Sequence, residues 1–232
     1  MQNLIKCEGL TKRYGKKVAL WDFSVEIPAG RIIGLLGPNG SGKTTLIKSL
    51  SGILTPDAGK IEVGGKEIGV ESKKIVSYLP ERTYFSSSLR VKDVIGFFEE
   101  FYEDFRRETA EEMLRTLQID GKSKIGSLSK GTREKVQLVL VMSRKAKVYL
   151  LDEPIGGVDP AARDFILKTI LTNYSEDASV LISTHLISDV EKVLDDVIFI
   201  KQGRMMLHKS VDEIRMNEKK SVDALFREVF AC

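Results

Sequence analysis

Residues 37–44 read GPNGSGKT, with glycines, a lysine and a hydroxyl at the spacing of a phosphate-binding loop. An apolar segment leads into them and a helix-forming stretch leads out from Thr44, as such a loop requires. The glycines let backbone N–H groups surround an anion, Lys43 adds a positive charge on the outer phosphates, and the Thr44 hydroxyl is suited to Mg²⁺. The pattern predicts binding of a nucleoside triphosphate. The residues expected to contact it are Pro38, Asn39, Gly40, Ser41, Gly42, Lys43, Thr44 and Thr45.

Two acidic residues, Asp152 and Glu153, directly follow the apolar segment Val148–Leu151. Carboxylates at the carboxyl end of a parallel strand lie where open α/β sheets bind their ligands. In phosphate-loop enzymes the first acid holds Mg²⁺ and the next can polarise the attacking water. We therefore expect Asp152 to be a metal residue and Glu153 to be the catalytic base.

Apolar segments alternate with helical patterns along much of the chain, which predicts an α/β fold with a parallel sheet. Turn residues divide residues 4–36 into three strand-like runs, and a hairpin follows at 60–68. Residues 90–145 carry apolar side chains at helical spacing, which predicts a helical insert. The other expected strands are Ile75–Leu79, Val148–Leu151, Val180–Ser183, Val197–Ile200 and Met205–His208, and the expected helices are Val91–Phe105, Glu108–Leu117, Lys130–Ala146, Pro160–Tyr174 and Val222–Phe230.

The composition fits one sizeable α/β domain, since the chain has 232 residues of which 42% are hydrophobic. No apolar stretch approaches the ~20 residues that cross a bilayer, and the N-terminus lacks the pattern of a secretory signal, so we expect a cytoplasmic protein. Cys7 and Cys232 have no disulfide or metal spacing and are expected to be free thiols. The net charge of +3 gives no reason to expect a nucleic-acid partner.

The helical insert carries an aromatic stripe that allows two interpretations. Such a stripe is more often part of the core, but an excess of large apolar side chains can also mark a docking face. The residues of the stripe are Phe97, Phe98, Phe101, Tyr102 and Phe105.

Between the phosphate loop and the acidic pair, the segment LSKGT at 128–132 resembles the LSGGQ signature of ATP-binding cassette (ABC) ATPases. The segment GGVDP at 156–160 resembles the D-loop of that family, His185 resembles its switch histidine, and Tyr14 resembles the aromatic residue that stacks on adenine. Considered one at a time, each residue has a structural alternative. Tyr14 could be an aromatic residue packed in a sheet, Asp159 could be a helix N-cap, and His185 could be a polar residue at a strand end. Their joint order favours the functional interpretation, and the resemblance covers essentially the whole chain.

The resemblance implies one ABC ATPase domain over residues 1–232, a P-loop NTPase with a RecA-like parallel sheet core, an antiparallel β subdomain and a helical insert. The core and β subdomain would comprise 1–85 and 147–210, the helical subdomain 86–146, and a C-terminal helical tail 211–232. The implied cofactors are ATP and Mg²⁺. The implied partners are an integral membrane permease and a second ATP-binding subunit, identical or different, with the protein peripheral on the inner face of the cell membrane.

In this family two such domains bind head to tail, so that each ATP lies between the phosphate loop of one subunit and the signature of the other. The resemblance therefore assigns Ser129 and Gly131 to the γ-phosphate of the second subunit's ATP. The other roles it implies are catalysis by Glu153, His185 and Lys43, nucleotide contacts by Tyr14, Val18 and Asp159, and metal binding by Thr44, Glu81 and Asp152.

Two features depart from the family pattern. Glu81 stands where the family usually carries Gln, and its oxygen suits Mg²⁺ but adds negative charge beside Asp152 and Glu153. Lys130 and Thr132 replace the first glycine and the Gln of the signature. Both departures resemble a subgroup of bacterial drug, bacteriocin and antibiotic-resistance exporters whose membrane parts are separate polypeptides.

The sequence disfavours several other classes of P-loop protein. A cassette ATPase of the chromosome or repair type needs a long coiled coil between the phosphate loop and Asp152, and this sequence has only a small insert there. The translation type carries two cassettes in one chain, and this sequence has one. A GTPase needs an NKxD motif, which is absent, and a small-molecule kinase has no need of residues 128–132. The favoured function is the motor subunit of a transporter, and a soluble ABC-type ATPase acting on a non-transport assembly is the alternative.

Overall fold

The computed structural model describes residues 3–156 and 160–230, apart from the side chains of residues 161 and 162. The strands are β1 (Asn3–Tyr14), β2 (Lys17–Pro28), β3 (Ile32–Leu36), β4 (Ala58–Val63), β5 (Lys66–Glu67), β6 (Val76–Leu79), β7 (Val148–Asp152), β8 (Ser179–Thr184), β9 (Asp196–Lys201) and β10 (Arg204–Ser210). The α-helices are α1 (Lys43–Leu50), α2 (Val70–Lys74), α3 (Val91–Phe101), α4 (Arg107–Thr116), α5 (Lys130–Met142), α6 (Pro160–Asn173), α7 (Ile187–Val190), α8 (Val211–Glu213) and α9 (Val222–Phe230). The predicted α/β fold is confirmed, with a helical insert between β6 and β7.

A six-stranded sheet in the order β10-β9-β3-β8-β7-β6 forms the centre of the fold. Strands β3, β7 and β8 are buried along their whole length and pair in parallel, as is typical of a sheet covered on both faces. Leu36 at the end of β3 pairs with Thr184 of β8, and Asp152 at the end of β7 pairs with Ser183. The carboxyl ends of these three strands therefore lie side by side, at the edge where such sheets bind ligands.

A four-stranded antiparallel sheet in the order β2-β1-β4-β5 packs against one side of the centre. Buried side chains of β1 and β2 share an apolar cluster with Ile33 of β3 and Leu46 of α1. The turn between β1 and β2 brings Tyr14 opposite Lys17. Cys7 is a free cysteine buried in this layer, where burial raises its pKa to about 12.

The helical insert has an apolar core of its own, formed by side chains of α3, α4 and α5. Of the aromatic stripe, Phe98 belongs to this core, with Tyr102 and Phe105 packed against it. Phe97 and Phe101 are instead 46% and 75% exposed. The stripe is thus partly core and partly surface, and docking by the exposed residues stays a prediction.

Arg144 fixes the junction between the insert and the central sheet. The helix predicted over Lys130–Ala146 ends at Met142, and the Arg144 side chain, only 2% exposed, turns inward. Its Nε atom lies 2.8 Å from Asp104 Oδ1, and its terminal nitrogens donate to the carbonyls of Lys74 and Val76.

Two more hydrogen bonds join α5 to β6 and to Pro80, the residue that follows β6. The Ser77 hydroxyl donates to the Val141 carbonyl over 2.9 Å, and Gln137 Nε2 donates to the Pro80 carbonyl over 3.2 Å. Both side chains are 1% exposed, so these bonds are shielded from water. The helix that begins with the signature is therefore held to the strand that leads to Glu81.

No helix in the described parts of the chain is both long enough and apolar enough to pass through a membrane.

Replacing Asp104 with alanine should lower the free energy of unfolding by about 3 kcal/mol, because it leaves the buried charge of Arg144 without its partner. The exposed pair of Glu99 and Arg107 provides the control, and Glu99→Ala should cost less than about 1 kcal/mol. Urea denaturation of the wild type and both variants measures the two losses. Equal losses would contradict the role assigned to the buried pair.

Candidate functional site

The phosphate loop turns tightly between β3 and α1, and two of its glycines are required by close contacts. Gly42 has φ 113°, a conformation that other residues rarely adopt. A Cβ atom there would lie 2.5 Å from the Ala19 carbonyl oxygen, and one on Gly37 would lie 2.3 Å from that of Ile200. The helix that follows begins at Lys43, so its free N–H groups point at the loop.

Lys43 lies inside this loop and is only 5% exposed. Its Nζ atom donates to the carbonyls of Gly37 and Pro38 over 2.8 and 3.3 Å, and lies 3.6 Å from Glu153 Oε1. Burial lowers the pKa of Lys43, and the attraction of the Glu153 carboxylate opposes that shift. The hydroxyl of Ser41 is buried in the same loop and has no hydrogen-bond partner among the described residues. A buried cation and an unpaired hydroxyl fit a phosphate group.

Asp152 ends β7 with a carboxylate that is almost fully buried. Its Oδ1 atom accepts hydrogen bonds from Thr44 over 3.1 Å and from Ser183 over 2.7 Å. Burial raises the pKa of Asp152, the two hydrogen bonds lower it, and the nearby charges of Glu81 and Glu153 raise it again. Its Oδ2 atom has no partner in the described structure. A buried carboxylate oxygen left free beside a hydroxyl is a donor set that suits Mg²⁺.

Glu153 extends its carboxylate between Lys43 and His185. Oε2 lies 3.0 Å from His185 Nδ1, and the Glu153 side chain is 12% exposed, whereas that of His185 is 47% exposed. The backbone of Glu153 has φ 50°, in the left-handed region that non-glycine residues seldom adopt. Its N–H group donates to both the carbonyl and the hydroxyl of Ser183, each over 3.0 Å, which holds the residue in this conformation.

An open cleft of about 970 Å³ brings most of the predicted residues together. Those that line it are Tyr14, Asn39, Gly40, Ser41, Gly42, Lys43, Thr44, Thr45, Glu81, Glu153 and His185. Pro38, Val18 and Asp152 do not line it, although Pro38 contributes its carbonyl to Lys43 and Asp152 accepts a hydrogen bond from Thr44. Asp159 lies outside the described residues.

Several lining residues were not predicted from the sequence, and each lies within three residues of a predicted one. The signal that could have found them is therefore proximity to a motif: they lie beside Val18, after Glu81, at the start of the signature helix or in the segment after Glu153. They are Lys17, Ala19, Arg82, Thr83, Lys130, Arg133, Glu134 and Gly156.

The signature begins α5, with Ser129 as its N-cap. The Ser129 hydroxyl accepts a hydrogen bond from the Thr132 N–H over 3.1 Å and lies 2.8 Å from the Thr132 hydroxyl, so Thr132 takes part in the cap. Apart from the chain neighbours of Gly131 and the nearby backbone of its own helix, no described heavy atom lies within 4 Å of the place where a Cβ of Gly131 would be. Ser129 and Gly131 do not line the cleft of their own chain, and Ser129 is exposed.

Glu81 lines the cleft as an exposed residue in the segment that follows β6. Its charge raises the pKa of Asp152 and works against the lowering of the Lys43 pKa by burial. Among the described residues, no three His, Cys, Asp or Glu side chains come close enough to hold a metal ion by themselves. A cation here would therefore also depend on the Thr44 hydroxyl and on phosphate oxygens.

The loop, the buried Asp152 and the adjacent Glu153 define a P-loop nucleoside triphosphatase. A family model described as ABC transporter matches residues 20–156. The chain belongs to this family and is an ABC transporter ATPase that binds ATP.

The relatives extend this match to most of the chain. An uncharacterized ABC transporter ATP-binding protein of Methanocaldococcus jannaschii is 34% identical over 92% of this chain and 80% of that protein. The linearmycin resistance ATP-binding protein of Bacillus subtilis is 30% identical over 88% of this chain and 68% of that protein. The SkfA peptide export ATP-binding protein of the same organism is 32% identical over 89% of this chain and 86% of that protein. A solved ATP-binding subunit of an ABC transporter superposes with a TM-score of 0.86 at 26% identity, covering 97% of this chain and 99% of that chain.

Lys43→Ala should weaken ATP binding by roughly 10- to 100-fold, because a charge-assisted hydrogen bond to phosphate contributes about 1.5–3 kcal/mol. Lys48→Ala, on the same helix α1 but outside the cleft, should bind ATP with wild-type affinity. Calorimetric titration with ATP measures both constants. Unchanged binding by the Lys43 variant would refute the assignment of the phosphate loop.

Proposed function

We propose that this chain is the ATP-hydrolysing subunit of an exporter, in which two such subunits close on MgATP and drive a separate membrane permease. The observation that carries the hydrolytic part is the Glu153 carboxylate, which lies between Lys43 and His185 at the phosphate loop. The relatives named for linearmycin resistance and for SkfA peptide export support export as the direction of transport.

The hydrolytic step follows from the positions of these side chains. Lys43 and the N–H groups at the start of α1 bind the outer phosphates. Glu153 accepts a proton from water, whose oxygen bonds to the γ-phosphorus while the bond from that phosphorus to the bridging oxygen breaks and ADP leaves. His185, within hydrogen-bond distance of Glu153, fixes the carboxylate. Mg²⁺ held by Thr44 and Asp152, with Glu81 nearby, would neutralise charge on the transferred phosphoryl group.

The signature supports a site shared between two subunits, since Ser129 and Gly131 do not line the cleft of their own chain. In a head-to-tail dimer the start of α5 would place the Ser129 hydroxyl and backbone N–H groups against the partner's γ-phosphate. To shift such a dimer from about 1:99 to 99:1 closed, ATP must favour the closed state by ~5.5 kcal/mol. Charge-assisted hydrogen bonds to two γ-phosphates are suited to supply this, and hydrolysis removes them.

Glu153→Gln should abolish steady-state ATP hydrolysis but preserve ATP binding, so that a dimer accumulates with ATP. Phosphate release and size-exclusion chromatography measure the two effects. Adding Ser129→Asp to the Glu153→Gln variant should prevent dimer formation, because the new carboxylate retains the helix cap but repels the phosphate of the partner's ATP. Ser129→Asn retains the cap without the charge and is the matched control.

Two results would contradict these assignments separately. Undiminished hydrolysis by Glu153→Gln would refute Glu153 as the base. A dimer equally stable with Ser129→Asp and Ser129→Asn would refute the shared site.

A second cleft, of about 520 Å³, lies between the helical insert and the central sheet and supports docking of the permease. Besides the buried Arg144, which is paired with Asp104, three cationic side chains line it, those of Lys48, Lys73 and Arg82, beside apolar groups such as Ile53. This lining fits a cytoplasmic helix of the permease that carries apolar and acidic side chains. Arg82 lines both this cleft and the ATP cleft, so a partner docked here would lie against a residue of the nucleotide site.

Ile53→Asp should reduce recovery of a multi-span membrane partner at least tenfold, because an acid would oppose the acidic permease helix. Ile53 is 63% exposed, so ATP hydrolysis by the isolated subunit should be unchanged. Met216→Asp alters an apolar residue in the tail that is 72% exposed and serves as the control. Pull-down from detergent-solubilised membranes measures recovery.

The same pull-down tests the localisation and the alternative function. A permease partner would hold the subunit at the inner face of the cell membrane, with no nucleic acid in the complex. Recovery with ribosomes or DNA alone would overturn the transporter assignment and favour a soluble ABC-type ATPase.

A further inference from the structure

The described part of the C-terminal tail, residues 211–230, packs on the segment that follows His185. Helix α7 begins at Ile187, two residues after that histidine. Val222 and Leu225 of α9 are buried in the same apolar cluster as Ile187 and Val190 of α7. The tail is therefore part of the core of its own chain on this side of the sheet.

Glu191, which directly follows α7, binds the start of α9 through its carboxylate. Its Oε1 and Oε2 atoms accept hydrogen bonds from the N–H groups of Val222 and Asp223, over 3.0 and 3.4 Å. Arg215 Nη2, also in the tail, lies 3.8 Å from Glu191 Oε1, and the Glu191 side chain is only 14% exposed. A carboxylate at a helix N-terminus satisfies free N–H groups and is favoured by the helix dipole. One side chain thus joins the tail to the His185 segment.

Aromatic contacts also connect the tail to β9, the strand beside β3. Phe226 and Phe230 stack on each other with centroids 4.2 Å apart, and they lie 5.4 and 5.9 Å from the ring of Phe199 in β9. Phe199 pairs with Leu36, the last residue of β3 before the loop. The tail therefore packs on the strand next to the one that leads into the phosphate loop.

Ion pairs also join α7 and the residues just after it to α6, the helix that follows the D-loop segment. Arg163 Nη1 lies 2.7 Å from Asp189 Oδ2, and Lys192 Nζ lies 3.3 Å from Asp164 Oδ1. Because α7 contacts both α6 and α9, both helices contribute to its position. Any shift of α7 would carry His185 with it, because only Leu186 separates them.

We propose that the tail positions His185 against Glu153, and that Glu191 is the positioning residue through which it acts. This rests on the proposed role of His185 in hydrolysis. Nucleotide binding uses the loop at 37–44 and does not involve α7, so the tail acts on the rate of the chemical step and leaves ATP affinity unchanged. Misplacement of a reacting group by about 1 Å can lower a rate by about 100-fold.

Glu191→Ala in the full chain should lower kcat for ATP by about 10- to 100-fold and leave KM within about twofold. Glu191→Gln, which keeps one acceptor for the start of α9, should recover part of the lost rate. Glu228→Ala, on the same helix α9 but in an exposed pair with Lys220, is the matched control and should keep the wild-type kcat. Steady-state phosphate release and thermal denaturation of each variant supply the measurements.

A double variant separates positioning of His185 from a general loss of structure. If Glu191 acts through His185, then Glu191→Ala should cause no further loss of kcat in a His185→Ala background. A lowered melting temperature with unchanged kcat, a parallel rise in KM, or multiplicative losses in the double variant would each overturn the proposal. Wild-type turnover by His185→Ala alone would instead refute the proposed function of that histidine.

Discussion

The buried carboxylate of Asp152 joins the segments on which the site depends. One of its oxygens accepts hydrogen bonds from Thr44, at the start of α1, and from Ser183, near the end of β8. Because Asp152 itself ends β7, a single side chain connects the phosphate loop, the acidic pair and the His185 segment. Burial disfavours the charged form of Asp152, so a nearby cation stabilises the carboxylate. Lys43 supplies part of that positive charge, and a metal ion would add to it.

The sequence predicted the parts of the site that follow from strand and loop order. Apolar segments before the loop, before Asp152 and before His185 indicated parallel strands, and parallel strands place their carboxyl ends together. Glycine spacing and the charge of Lys43 then indicated a phosphate site, and Gly40, Gly42 and Lys43 line the cleft. The roles given to the individual site residues remain predictions. Those of Ser129, Gly131 and Asp159 also concern a second subunit or residues outside the described structure.

The rest could not be predicted because it depends on contacts between segments distant in sequence. Arg144 lies in a stretch with helical periodicity, yet its burial depends on Asp104 and on carbonyls just before and at the start of β6. The pairing of Gln137 with the Pro80 carbonyl likewise requires the packed position of α5 on β6. These bonds join the signature helix to the Glu81 segment, so a rotation of the insert would move both.

The left-handed backbone conformation of Glu153 lowers the stability of the fold at a residue that the proposed turnover requires. A non-glycine residue in this region costs on the order of 1 kcal/mol or more, and the two hydrogen bonds from its N–H to Ser183 offset that cost. Glycine would adopt the same conformation without strain but would remove the carboxylate. A screen for thermostable variants would therefore tend to enrich chains that have lost the proposed base, whereas selection for turnover retains the strained residue.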